Sequence, residues 1–207
     1  IVDRYLATVA ELGIKNDNKY LDYFISQSDK IDMSAYLEAE NVENYIAFVL
    51  GATYSTKRLP IEKMLEICEL VEQPIVLLGG REETENGEYL AQKIGKKVVN
   101  LCGHLRLNQS AFVVQQAAKV ISHDTGLMHI AAAFQKPILS VWGNTIPEFG
   151  MYPYLNETQA AKSKMVQVQD LPCRPCSKIG FQKCPKKHFA CMNLIDVNEI
   201  ADWANEQ

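Results

Sequence analysis

No stretch of the 207 residues stays apolar over the roughly 18 positions that a membrane span needs, and no secretory leader pattern opens the chain. Cationic residues form no dense basic block, and the net charge is -4, so a nucleic-acid surface is not expected. No Asp-x-Asp pair occurs, which removes the usual sequence sign of a diphosphate held through a divalent ion. The first residue is Ile1 and not Met, so the chain reads as part of a longer product, and a missing leader says little about the whole. What is present is ordinary for a globular protein: 47% hydrophobic and 22% charged residues, enough for one large or two small domains with an ample core.

The chain is organised around residues 119–147. Lys119 to Ser122 reads as a short strand. Asp124 and Thr125 are N-cap residues, Gly126 follows, and Leu127, Met128, Ile130, Ala131, Ala133 and Phe134 make a mostly apolar helix. Pro137 stops it, and Ile138 to Trp142 is a second buried strand. A helix that begins at the carboxyl end of a strand aims free backbone N–H groups at one spot, which attracts a diphosphate. His129 lies one turn after Thr125 on the same side and could add a donor. Taken alone, this stretch is equally a plain α/β crossover with a satisfied histidine.

The longer pattern is Asp124-Thr125-Gly126-Leu127-x-His129-x-Ala131-x-Ala133, then Lys136-Pro137, then Gly143-x-Thr145-x-Pro147. It resembles the signature of the bacterial heptosyltransferase family, glycosyltransferases that move a heptose from a nucleotide donor during lipopolysaccharide core synthesis. The resemblance covers nearly the whole chain, most tightly residues 45–154.

The rest of the chain fits an α/β alternation. Residues 1–13 carry Val2, Leu6, Val9, Ala10 and Leu12 at helical spacing, ended by Gly13. The resemblance implies that residues 1–15 link the two halves of a two-domain enzyme; a helix packed on the domain reads equally well. Residues 14–44 are polar and irregular, with a helix expected over 34–40. Strands are expected at 45–50, 74–80, 98–101, 119–122, 138–142 and 163–168. Helices follow from Ile61 to Glu72, from the Arg81–Glu85 run to Ile94, from an Asn108 cap to Ala118, and from an Asp196 cap to Trp203. Six alternations predict a Rossmann-like doubly wound parallel sheet over 16–207. The resemblance adds that this is the C-terminal, donor-binding half of a GT-B glycosyltransferase.

Candidate site residues cluster after the strands. Gly51 to Pro60 offers hydroxyls and then Lys57 and Arg58, a composition suited to phosphate or to a solvated turn. The family carries a Thr-rich loop ending in Lys, one residue, an aromatic and Pro; Lys57, Pro60 and Thr53 match, while Leu59 stands for the aromatic and Ala52 for a second threonine. A glutamate near 82–83 matches the family, with Glu83 preferred as a ligand for a ribose or sugar hydroxyl; otherwise the acids are helix caps. The resemblance sets Leu105 against adenine. Asp124 is either a helix cap or a sugar-hydroxyl ligand. Thr125, Gly126, Leu127 and His129 complete the donor site, with Lys57 and His129 as the catalytic residues that hold leaving-group charge. Gly143 admits close approach of a ligand, and Thr145 can bond a phosphate or cap a turn.

Cys173-x2-Cys176-x7-Cys184-x6-Cys191, with His188 and five cations among them, has metal-like spacing. Structural zinc, disulfides and reduced thiols all remain open. By resemblance the whole enzyme is inverting and metal-independent, uses ADP-heptose and a glycan or lipid-linked lipopolysaccharide acceptor, and works in the cytoplasm or at the inner face of the inner membrane. Its general base belongs to the N-terminal acceptor domain, so this chain alone is expected to bind donor and catalyse little. The alternatives are a nucleotide-binding module without transfer activity and a sugar-nucleotide epimerase of the same architecture.

Overall fold

The computed structural model describes residues 1–38 and 42–206. Six parallel strands form the centre: β1 (Ile46–Val49), β2 (Ile75–Leu78), β3 (Val98–Asn100), β4 (Lys119–His123), β5 (Ile138–Trp142) and β6 (Lys164–Gln167), ordered β3-β2-β1-β4-β5-β6. Every residue of β1, β2 and β5 is buried, because a parallel sheet is covered on both faces. That is why these strands read as unbroken apolar runs.

Helix α1 (Val2–Ala7) precedes the sheet, α2 (Ile61–Leu70), α3 (Thr84–Ile94), α4 (Leu107–Gln116), α5 (Gly126–Ala133) and α6 (Glu157–Ala161) connect the strands, and α7 (Ala190–Asn193) and α8 (Val197–Asn205) follow β6. Phe48, Leu77 and Ile121 point to the face packed by α2, α3 and α8, with Ile67, Leu90 and Trp203 among the buried contacts. Ala47, Val76, Val120 and Trp142 point to the opposite face, with Val113 and Val114 of α4 and Met128 of α5. Alternation along each strand thus feeds two separate cores.

Topology positions the site. The chain runs β1 to β2 to β3 in one direction, then returns to lay β4 beside β1, where Ile46 pairs with Lys119. The order reverses between β1 and β4, and a crevice opens at their carboxyl ends.

Several boundaries differ from expectation. The N-terminal helix breaks at Thr8, whose hydroxyl donates to the Tyr5 carbonyl at 2.7 Å; a 3-10 turn, Ala10–Leu12, then ends on left-handed Gly13. Only a 3-10 turn, Met33–Ala35, occupies the start of the helix expected over 34–40, whose last two positions lie outside the described residues. Helix α4 starts two residues before its expected first turn, with Gln109 Oε1 accepting from Arg106 N. Asn108 is not the cap: its side chain accepts from the Tyr23 hydroxyl and donates to Asp29, tying the N-terminal segment down. Asp196 does cap α8, accepting from Asn198 N at 2.9 Å.

Candidate active site

Three loops meet above the switch point. The loop after β1 carries Gly51 to Pro60, the turn after β2 carries Gly79 to Glu83, and the end of β4 delivers Asp124, Thr125 and α5. Between them lies a cleft of about 600 Å³, lined by Gly51, Ala52, Arg58, Glu83, Leu105, Thr125, Gly126 and Leu127 among others. Five predicted donor residues, Glu83, Leu105, Thr125, Gly126 and Leu127, therefore share one cavity.

Lys57 and Asp124 form the second part. Lys57 Nζ lies 2.5 Å from Asp124 Oδ2, and the Thr145 hydroxyl donates to the same oxygen at 3.2 Å. Asp124 is therefore not a helix cap. Thr125 holds the cap position of α5 without a side-chain bond, and its hydroxyl oxygen is buried with no partner among the described residues. A buried hydroxyl without a partner costs on the order of 1–3 kcal/mol, a cost that a phosphate oxygen arriving at this spot would relieve. The first turn of α5, whose N–H groups have no partner within the helix, lines the same cleft through Gly126 and Leu127.

His129 sits beside this pair. Burial lowers its pKa, the Asp124 carboxylate works in the opposite direction, and Lys57 reinforces the lowering. The balance favours neutral imidazole, so His129 offers one N–H donor and not the full cation.

Glu83 is distinguished from Glu82 by burial. The Glu83 side chain is 7% exposed and that of Glu82 is 81% exposed. Glu83 Oε2 accepts from Gly80 N at 2.8 Å, and Oε1 pairs with Arg58 at 2.9 Å. Gly51 is required here, since a Cβ on it would stand 2.9 Å from the Glu83 carboxylate. Gly143 answers a similar need, with a correction to its partner: a Cβ would meet the Thr56 carbonyl at 2.7 Å and Met192 at 2.5 Å. The close approach that requires glycine is to the protein's own loop.

Thr53 is exposed and does not line the cleft; its carbonyl accepts from Gln182, while Ala52 faces the cavity. Leu59, at the family's aromatic position, is a core residue, and its N–H donates to Nε2 of fully buried His123 at 3.0 Å. Three residues outside the predicted donor set prove central. Arg58 joins Glu83 to the Ala52 carbonyl. His123 fixes the Lys57 loop to β4. Arg174 donates to the carbonyls of Gly143, Thr145 and Val168. Cation and strand were visible in each case, but the partners lie far along the chain.

All six cysteines are free thiols. Cys173, Cys176, Cys184 and Cys191 line one small cavity of about 10 Å³, and Cys173 Sγ lies 3.8 Å from His188 Nε2. Among the described residues, no three His, Cys, Asp or Glu side chains are placed to hold a metal ion, so the arrangement does not fit the zinc reading, and no disulfide is formed. No helix of the described residues is long and apolar enough to cross a membrane.

A six-stranded parallel sheet with a cleft at its switch point defines a Rossmann-like α/β protein. Glycosyltransferase family 9 (heptosyltransferase) matches residues 1–185, and the chain belongs to that family. Lipopolysaccharide heptosyltransferase 1 of Pseudomonas aeruginosa is 31% identical over 166 residues, covering 76% of this chain and 44% of that protein. Lipopolysaccharide heptosyltransferase 2 of Salmonella typhimurium is 25% identical over 164 residues, covering 72% of this chain and 47% of that protein. A solved family 9 glycosyl transferase from Veillonella parvula superposes with a TM-score of 0.76 at 19% identity, covering 98% of this chain and 58% of its own. The E. coli heptosyltransferase WaaC with ADP gives 0.61 at 23% identity, covering 94% and 52%. The chain thus spans about half the length of these relatives, and its sheet is the Rossmann-like half of a GT-B fold.

Proposed function

We propose that this chain is the donor-binding half of an inverting heptosyltransferase that takes ADP-heptose as donor and a lipopolysaccharide glycan as acceptor. The observation that carries the reading is the convergence of Lys57 on Asp124 at the N-terminus of α5, beside the cleft lined by Glu83, Leu105 and Thr125. Related structures support the donor: one E. coli heptosyltransferase was solved with ADP and with ADP-2-deoxy-2-fluoro heptose.

In this reading adenine rests on Leu105, a ribose hydroxyl bonds Glu83, and the diphosphate lies across the Thr125 hydroxyl and the α5 N–H groups. Transfer breaks the bond between the anomeric carbon and the diphosphate oxygen and forms one to the acceptor oxygen on the opposite face. Negative charge grows on the leaving diphosphate. Lys57, with three donor hydrogens, can keep Asp124 and still donate to that charge, and His129 adds a neutral N–H. The acceptor proton goes to a carboxylate of the N-terminal acceptor domain, so the isolated chain binds donor and turns over little. Placement follows from the same reading: a cytoplasmic enzyme at the inner membrane face. No divalent ion is needed where Lys57 and the helix supply the positive potential.

Calorimetry with ADP, UDP and ADP-heptose tests it. ADP-type ligands should bind, UDP should bind more weakly, and Lys57→Ala should weaken ADP ten-fold or more, about 1.4 kcal/mol. Absence of ADP binding to the full-length protein would sink the donor assignment. Tight binding without transfer in the full-length protein would instead favour a nucleotide-binding module, which Ala52 and Leu59 would then explain.

A further inference from the structure

Leu171 to Ile195 holds Arg174, Lys178, Lys183, Lys186 and Lys187 and no acidic residue. The chain has 21 cations and 25 acids, so the remaining residues carry 16 cations against 25 acids. One segment therefore carries a local charge of +5 on an otherwise acidic chain. Composition alone would make this a solvated loop. Its attachment argues otherwise.

The segment is strapped to the loop that bears Lys57. Thr56 N donates to the Phe181 carbonyl at 3.1 Å, and Phe181 N donates to Thr56 Oγ1 at 2.8 Å. The Ser55 hydroxyl donates to Gln182 Oε1 at 3.2 Å. Gly180 passes so close to Tyr54 that a Cβ would stand 2.5 Å from that side chain. Arg174 is turned inward onto the Gly143 and Thr145 carbonyls, which leaves the four lysines exposed. Between strap and loop lies a second cavity, about 400 Å³, lined by Ser55, Thr56, Gln182, Lys183, Lys187 and Phe189. Ser55 and Thr56 form its wall, and the donor cleft is lined by Ala52 and Arg58 of the same loop.

We infer that this strap is an anion-docking surface for the acceptor, one that takes a saccharide bearing phosphate or carboxylate groups and holds it on Lys183 and Lys187 beside the Lys57 loop. This rests on the transfer reading above. Two ammonium groups and one aromatic side chain around a concave space match an anionic sugar: charges for the anion and a ring for the sugar's apolar face. A flat lipid surface would use the lysines but not the concavity. Long-range attraction from the strap would also raise the encounter rate with an anionic partner at low salt.

The test uses the full-length protein saturated with ADP, and the Lys183→Glu/Lys187→Glu variant. Three probes are titrated: deacylated rough-type lipopolysaccharide core oligosaccharide with its anionic groups intact, a neutral oligosaccharide of the same length, and phosphatidylglycerol vesicles. The expected result is binding of the anionic oligosaccharide that weakens ten-fold or more in the variant and loses much of its salt dependence, with ADP affinity held within two-fold. Equal binding by variant and wild type overturns the inference. So does equal binding of the neutral oligosaccharide, no oligosaccharide binding at all, or a loss confined to vesicles, which would make the strap a membrane contact. Failure of ADP to bind is a separate result and falls on the donor reading, not on the strap.

Discussion

Lys57 and Asp124, 67 positions apart, close an ion pair of 2.5 Å across the switch point of the sheet. One comes from the loop after β1, the other from the end of β4, and each is largely buried. The pair joins the two loops that must stay together for a diphosphate to find both the ammonium group and the α5 N-terminus. Because both ends are poorly solvated, the pair should couple more strongly than an exposed one. A double-mutant cycle on Lys57→Ala and Asp124→Ala, read by urea unfolding, should give a coupling of about 1 kcal/mol, within the range for residues in direct contact. Additive losses would mean that the pair is not formed in solution.

Glu83 supports the other wall of the cleft. Its two oxygens serve Gly80 N and Arg58, so Glu83→Ala would strand a backbone donor and a guanidinium at once. A loss of about 1–3 kcal/mol in unfolding free energy is expected. Glu83→Gln keeps the shape and one acceptor and should lose less. Gly51→Ala should mimic Glu83→Ala without touching the carboxylate, because the new methyl displaces it. Denaturant titration of the three variants checks this order.

How much of this was legible in the sequence depends on the distance between partners. The run from Lys119 to Pro147 announced strand, helix and strand because each element carries its own signal, and the structure follows it nearly residue for residue. Continuous apolar runs at β1 and β2 did the same for the sheet. Short elements such as α6 and α7 left too few residues for a period to register. Asn108 shows a local rule overridden: a good cap residue is drawn off by Tyr23 and Asp29, and Gln109 takes over the first turn. The roles of Arg58, His123 and Arg174 were illegible for another reason. Each acts on a group brought near only by the fold, so no spacing along the chain records it. The cysteine spacing misled in the opposite sense, since it suggests a metal that the placed side chains do not enclose.

The six thiols should differ sharply in reactivity. Burial pushes Cys68 and Cys102 up to about 12, with Glu83 adding to the effect at Cys102. Cys191 rises to about 11 through burial and the neighbouring sulfurs. At pH 8 these three hold almost no thiolate, which is the reactive form. Iodoacetamide followed by peptide mass mapping should label Cys173, Cys176 and Cys184, which are at least partly exposed, leave Cys68 and Cys102 unmodified in the native protein, and find six reactive thiols after unfolding. Fewer than six without a reductant would show that a disulfide forms after all.

His123 should give the protein an acid-sensitive step of its own. It is fully buried, and burial together with nearby Arg58 lowers its pKa to about 3, against 6.5 for the free side chain. Neutral imidazole is what the Leu59 N–H requires, since Nε2 must accept. Below pH 6.5 the unfolded chain takes up a proton at this site and the folded chain does not, so the unfolded state binds more protons and stability falls with pH. The contribution is complete above about pH 6.5 and is lost progressively toward pH 3, with a limiting slope of about 1.4 kcal/mol per pH unit. Carboxylates add their own loss below about pH 5, so the comparison must be with a variant. His123→Asn retains a side-chain acceptor but cannot titrate. Urea unfolding at half-unit steps from pH 7 to pH 4.5 should show a shallower fall for His123→Asn, by about one proton. Identical slopes would mean that His123 takes up its proton in the folded protein as readily as in the unfolded chain, and the hydrogen bond that ties the Lys57 loop to β4 would then have to be drawn differently.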